Sequence, residues 1–173
     1  MLVEDCYSHD HVGLGMHPGS GSQRTIMRGN RLEGNAIGIF FCWGVKFGLA
    51  EKNILRKNRT SISIGHRDTD NLVCDNRIED SGEVAVLFRP ERGVGFSGNR
   101  NRIVRNTIVN TGGEKSAAID IQGNTEAIQL EENVLEENRN ENVSPFRWSG
   151  CERHYLASDQ RVQKQNYATC ARA

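Results

Sequence analysis

One pattern recurs along this chain, and it narrows the possible folds more than any other feature. An apolar residue is followed by two variable positions, Asn, one variable position, Leu or Ile, two variable positions and a small polar residue. It reads Met27…Asn30-Arg31-Leu32…Asn35, then Ala50…Asn53-Ile54-Leu55…Asn58, then Val73…Asn76-Arg77-Ile78…Ser81. Two further copies are Ile103…Asn106-Thr107-Ile108…Thr111 and Leu130…Asn133-Val134-Leu135…Asn138. A degenerate first copy reads Leu2…Asp5-Cys6-Tyr7…Asp10. Counted from Asp5, the steps between the Asn positions are 25, 23, 23, 30 and 27 residues. A fixed period of this size is the mark of a solenoid, in which one coil cannot bury its own apolar face and must stack on the next.

The pattern inside each period decides which solenoid. Ile62-Ser63-Ile64, Val84-Ala85-Val86 and Ala117-Ala118-Ile119-Asp120-Ile121 alternate with period two and carry Ile and Val, as half-buried strands do. Asn and Gly at fixed offsets read as turns, because both tolerate the left-handed backbone. Several short strands per 23-residue step, with no helical period between them, predict an all-β right-handed parallel β-helix of about six coils. Stacked at about 4.8 Å per coil, Leu32, Leu55, Ile78, Ile108 and Leu135 form one buried column. Met27, Ala50, Val73, Ile103 and Leu130 form another. Asn30, Asn53, Asn76, Asn106 and Asn133 form an amide ladder whose side chains bond along the stack, so these residues are assigned to structure.

Composition agrees with a narrow core of small and β-branched side chains: 36% of residues are hydrophobic and only 6% aromatic. Twenty-two basic residues balance 22 acidic ones, so no basic excess points to nucleic acid. No apolar run approaches a membrane span, and the first residues carry no basic segment leading into an apolar one. Of the five cysteines, Cys6, Cys42 and Cys74 lie in the repeats and are expected as buried apolar thiols. Cys151 and Cys170 lie in the tail, where they could form one disulfide. No CxxC pair suggests a structural zinc site. The Gly19-Ser20-Gly21-Ser22 stretch lacks the Lys-Ser/Thr ending of a phosphate loop.

The Asn-x-Ile/Leu-x-x-Asn repeat resembles the right-handed β-helix repeats of the pectate-lyase-like superfamily, over residues 1–138. The resemblance implies the fold. It leaves the activity open, since such folds host polysaccharide lyases, glycoside hydrolases, uronate epimerases, phage tailspikes and periplasmic proteins that assist copper-enzyme maturation. It also implies an extracellular or periplasmic location. Residues 1–5 fall directly into the repeat without a cap, so the chain is expected to continue a preceding region. Residues 139–173 break the repeat and are expected as a C-terminal cap or tail, with a short helix over Tyr155 to Tyr167.

Subtracting the repeat leaves the unusual residues, which gather about 12 to 15 positions after each ladder Asn. They include His17, Trp43 and Lys46, then His66, Arg67, Asp68 and Asp70, then Arg89 and Arg92, and finally Asp120. Similar offsets in a solenoid mean a shared edge, so His17, Trp43, His66, Arg89 and Asp120 are expected along one side. Trp43 suits stacking on a sugar ring. Arg67, Arg89, Arg92 and Lys46 suit carboxylate or sulfate, and His66 suits proton transfer near neutral pH. Asp68, Asp70 and Asp120 suit acid–base work or a hard cation such as calcium; no other metal or cofactor is expected. The plain alternative is an exposed turn edge facing water. The leading expectation is a protein acting on an acidic polysaccharide, with His66, Arg67, Asp68 and Arg89 as the catalytic group if the chemistry is that of a lyase. The alternative is a non-catalytic glycan-binding or structural solenoid.

Overall fold

The computed structural model describes residues 1–112, 116–138 and 143–149, together with the strands at 155–158 and 161–164. Strands alone make up its regular structure: among the described residues there is no helix, and so none long and apolar enough to cross a membrane. Each coil contributes one strand to each of three parallel sheets.

The first sheet holds β1 (Leu2–Glu4), β4 (Ile26–Arg28), β7 (Leu49–Glu51), β10 (Leu72–Cys74), β13 (Arg102–Val104), β16 (Ile128–Glu131) and β19 (Tyr155–Ser158). The second holds β2 (Tyr7–His9), β5 (Arg31–Glu33), β8 (Ile54–Arg56), β11 (Arg77–Ser81), β14 (Thr107–Thr111), β17 (Val134–Glu137) and β20 (Arg161–Lys164). The third holds β3 (Leu14–Met16), β6 (Ile37–Phe40), β9 (Thr60–Ile64), β12 (Val84–Phe88), β15 (Ala117–Gln122) and β18 (Ser144–Ser149). The solenoid therefore makes about six turns. Its strands run on past residue 138, and where a helix was expected from Tyr155 the chain forms β19 and β20, paired in register with β16 and β17. The period had lapsed there in residue identity only. The Cys151–Cys170 pairing lies outside the described residues.

The two expected core columns pair in register: Met27 with Ala50, Val73, Ile103 and Leu130 in turn, and Leu32 with Leu55, Ile78, Ile108 and Leu135. All ten are buried, as is a third column of Ile39, Ile62, Val86 and Ile119 from the third sheet.

The ladder forms as the repeat predicts. Each Asn Nδ2 donates to the next Asn Oδ1 at 2.9–3.0 Å, from Asn30 through Asn53, Asn76 and Asn106 to Asn133. The same Oδ1 accepts the backbone N–H of the Asn below. Two further ladders flank it. Asn35 donates to Asn58 at the corner before the third sheet, and Asn71 to Asn101 at the corner after it.

Three expectations are corrected. The first repeat is offset by one: Cys6, not Asp5, occupies the ladder position and donates its backbone N–H to Asn30 Oδ1. The turn residues are also displaced. The ladder asparagines keep ordinary φ, and the residue before each takes the left-handed turn: Asp5, Gly29, Lys52, Asp75, Arg105 and Glu132 have φ between 51° and 63°. A left-handed L-residue costs roughly 1–2 kcal/mol, which the amide hydrogen bonds of the next residue offset. The cysteines differ among themselves: Cys74 is buried, Cys42 half-buried and Cys6 exposed.

Candidate functional site

The unusual residues lie where the chain leaves the third sheet, and the backbone there is unusual as well. Trp43 and Gly44 both have positive φ (55° and 87°), and so do His66 and Arg67 one coil later (47° and 70°). A non-glycine residue in this region is uncommon, and a tryptophan is a genuine outlier that only surrounding contacts can hold.

Asp68 supplies those contacts. Its side chain is fully buried, and Oδ1 accepts the backbone N–H of Gly44 at 2.9 Å and of Val45 at 3.0 Å. Oδ2 accepts the N–H of Gly65 at 2.9 Å and one Arg89 N–H at 3.3 Å. Asp68 thus pins two successive turns to each other. Burial pushes its carboxyl up, and the amides of Val45 and Gly65, the Arg89 guanidinium and the Gly44 amide pull it back.

Arg89 lies flat on the outer face of the third sheet, its side chain 13% exposed. It donates to Ser63 Oγ at 2.6 Å and to the Phe41 carbonyl at 2.8 Å, and its guanidinium carbon sits 4.2 Å from the Phe40 ring centre. Gly65 makes this possible: a Cβ there would come within 2.9 Å of the Arg89 Cβ. Of the residues expected as catalytic, Asp68 and Arg89 are therefore placed as the underpinning of the turns.

Above them rises an aromatic and cationic ridge. Trp43 is 43% exposed and its ring centre lies 5.4 Å from that of His66. Phe96 meets Trp43 edge-on at 6.0 Å, the Arg67 guanidinium covers Phe96 at 3.8 Å, and that of Arg92 lies 5.9 Å from the Trp43 ring. Phe96 and Arg92 come from the loop 89–101, where the coil step is 30 residues in place of 23. The sequence reading passed over Phe96, although the long step marked an insertion and Phe96 is its sole aromatic. His66 is 5% exposed, and its Nδ1 is buried with no hydrogen-bond partner. Burial, then Arg89 and Arg92, push its pKa down, so the ring is neutral at neutral pH.

The other expected site residues lie apart from this ridge. His17 is exposed beside Phe40, with ring centres 5.5 Å apart, because the strand register places it earlier on the coil than Trp43. Lys46 is exposed and bridges in parallel register to Gln23 and Thr69. Asp70 pairs with Arg100 at 2.7 and 2.9 Å, and that pairing first of all holds its carboxyl below the usual range. Asp120 lies on the outer face of β15, beside Leu87 of β12 and Arg147 of β18. Counting from the ladder Asn fails here because the strands of the third sheet and the turns before them differ in length from coil to coil.

A family described as periplasmic copper-binding protein, NosD, matches residues 4–120 of the chain. No curated protein and no solved structure matches. Among the described residues, no three His, Cys, Asp or Glu side chains converge in a group that could hold a metal ion. Burial, then Asp75, push the Cys74 thiol up to about 11.

Proposed function

The chain belongs to the NosD family of periplasmic copper-binding proteins, and from that premise we propose that it is a non-catalytic β-helix module whose ridge binds an acidic glycan. The family is periplasmic, which agrees with the extracellular or periplasmic location that the superfamily resemblance implies.

One observation carries the reading: Trp43 is held half-exposed on a strained turn, with exposed guanidinium groups at Arg67 and Arg92 beside it. An indole face takes the C–H face of a sugar ring, and a guanidinium fork takes a carboxylate or sulfate. The groups that lyase chemistry would need are otherwise engaged. Asp68 and Arg89 bond the backbone and each other, and His66 turns a desolvated nitrogen inward.

The test is calorimetric titration of the folded protein with oligogalacturonate and with sulfated oligosaccharides, with and without calcium, and mass spectrometry of the mixtures. Saturable binding without cleavage is expected. Trp43→Ala should weaken it several-fold or more, through loss of the ring face on which the sugar stacks. Unsaturated uronate ends that vanish in His66→Ala would instead make the protein a lyase. Absence of binding to every acidic glycan would leave a structural solenoid.

A further inference from the structure

The inserted loop that brings Phe96 and Arg92 to the ridge is fastened at both ends and free in the middle. At its near end the Glu91 carboxylate clasps Asn124 of the next coil, accepting its backbone N–H at 2.8 Å and its Nδ2 at 2.6 Å. At its far end Gly98 is buried, and a Cβ there would come within 3.3 Å of the Gly65 Cα. The Asn99 carbonyl accepts the Asp70 N–H at 3.2 Å, and Asn99 Oδ1 accepts the Glu126 N–H at 3.0 Å.

Between these clasps, residues 92–97 stand clear of the coils. Among the described residues they make one backbone–backbone hydrogen bond, and it is internal, from the Phe96 N–H to the Gly93 carbonyl at 3.1 Å. Val94 is fully exposed, and a Cβ at Gly93 or Gly95 would meet nothing within 4 Å. Both glycines have positive φ, at 147° and 75°, a region that glycine enters without strain. Segments with few buried contacts and few hydrogen bonds to the scaffold form the low-stability end of a structure, from which lids are drawn.

What this segment does touch is the ridge. Phe96 lies edge-on to Trp43 and under the Arg67 guanidinium, and the Arg92 guanidinium lies near the Trp43 ring. Trp43 and Arg67 are the groups a ligand of the ridge would use, so Phe96 competes with that ligand for both. We propose that residues 92–97 are a strap, anchored at Glu91 and Gly98, that covers the ridge while it is empty and swings away about its glycines when ligand docks. The proposal rests on the reading of the ridge as a binding surface. A cover of this kind lowers apparent affinity by the fraction of molecules in which it is open, and loss of its contact residue removes that penalty.

The test has a ligand-free arm and a ligand arm. Trp148→Phe leaves Trp43 as the sole tryptophan. In that background, NMR relaxation dispersion should show one shared exchange process, in microseconds to milliseconds, at the Trp43 indole and the amides of 92–97. Phe96→Ala, at a half-exposed position, should abolish that exchange at Trp43 and raise acrylamide quenching of its fluorescence. With oligogalacturonate, Phe96→Ala should bind several-fold more tightly than the parent. No exchange in the parent, or quenching unchanged by Phe96→Ala, would overturn the strap whatever the ligand. Weaker binding by Phe96→Ala would overturn it too, by making Phe96 part of the binding surface. Failure of the ridge reading would look different: no acidic glycan would bind, while the exchange and the quenching difference would still show the strap over Trp43.

Discussion

At the corner between the first two sheets, one position is Asn in five successive coils, from Asn30 to Asn133. Just beyond the third sheet, ahead of the Asn71–Asn101 ladder, equivalent turns carry Trp43-Gly44 in one coil and His66-Arg67 in the next. Both regions use left-handed residues, and both are held by side chains that accept backbone N–H groups of the coil below. The first solves the problem once and repeats the solution. The second solves it once only, with a buried carboxylate and a guanidinium laid across three coils. A repeated amide ladder is neutral and self-complementary, so it extends indefinitely. An Asp–Arg pair is charged and closed, so it ends where it is made and leaves its neighbours free to differ.

The largest effect that would sharpen this contrast comes from the ladder. Asn76→Ala removes the acceptor for two Asn53 donors and the donor to Ala50 and Asn106. At about 1–3 kcal/mol per buried group left unsatisfied, the expected loss is roughly 3–5 kcal/mol in urea unfolding. A loss below about 1 kcal/mol would mean that the ladder is decoration on a core that suffices.

Next comes the closed pair. Arg89→Met strands the Asp68 carboxylate and should cost about 3 kcal/mol. The double variant Arg89→Met/Asp68→Asn should recover part of that. If it is no better than the single variant, charge pairing is not what joins these turns.

A smaller effect is electrostatic. His66 has a folded-state pKa below its unfolded value of 6.5, so the unfolded chain takes up its proton first. Its contribution to stability is complete above pH 6.5 and lost as pH falls toward the folded pKa. The urea midpoint should therefore drop between pH 7.5 and pH 5.5, and His66→Gln should flatten that part of the profile.

The smallest effect is expected at the exposed pair of Asp70 and Arg100. Asp70→Asn should cost less than about 1 kcal/mol, and less again in high salt. A large cost would place this pair with the buried one.

Much of the fold was legible because repetition leaves its mark on identity. Both core columns and the main ladder could be read from spacing, since each coil must present the same residue types at the same height. The Cys6 register escaped the pattern because a backbone N–H, which every non-proline residue has, meets the ladder from below. The strands from Tyr155 onward escaped because parallel pairing needs backbone rather than any one side chain. The ridge was half legible: Trp43, His66, Arg67 and Arg92 do gather there. Phe96 reaches it through an insertion, His17 and Asp120 fall elsewhere, and Asp68 and Arg89 turn out to be engaged beneath.

The sequence by itself determined the period, the alternation and the buried columns, and hence an all-β parallel solenoid of about six turns. The local physics of alternation, turns and amide ladders acts within a coil or between adjacent coils, and spacing records it. Only the tertiary structure decided which side chains meet on the outer face. That depends on turn lengths, on a glycine that lets Arg89 lie down, and on which carboxylate finds partners. Asp68 found four donors, whereas Asp120 kept one oxygen without any among the described residues.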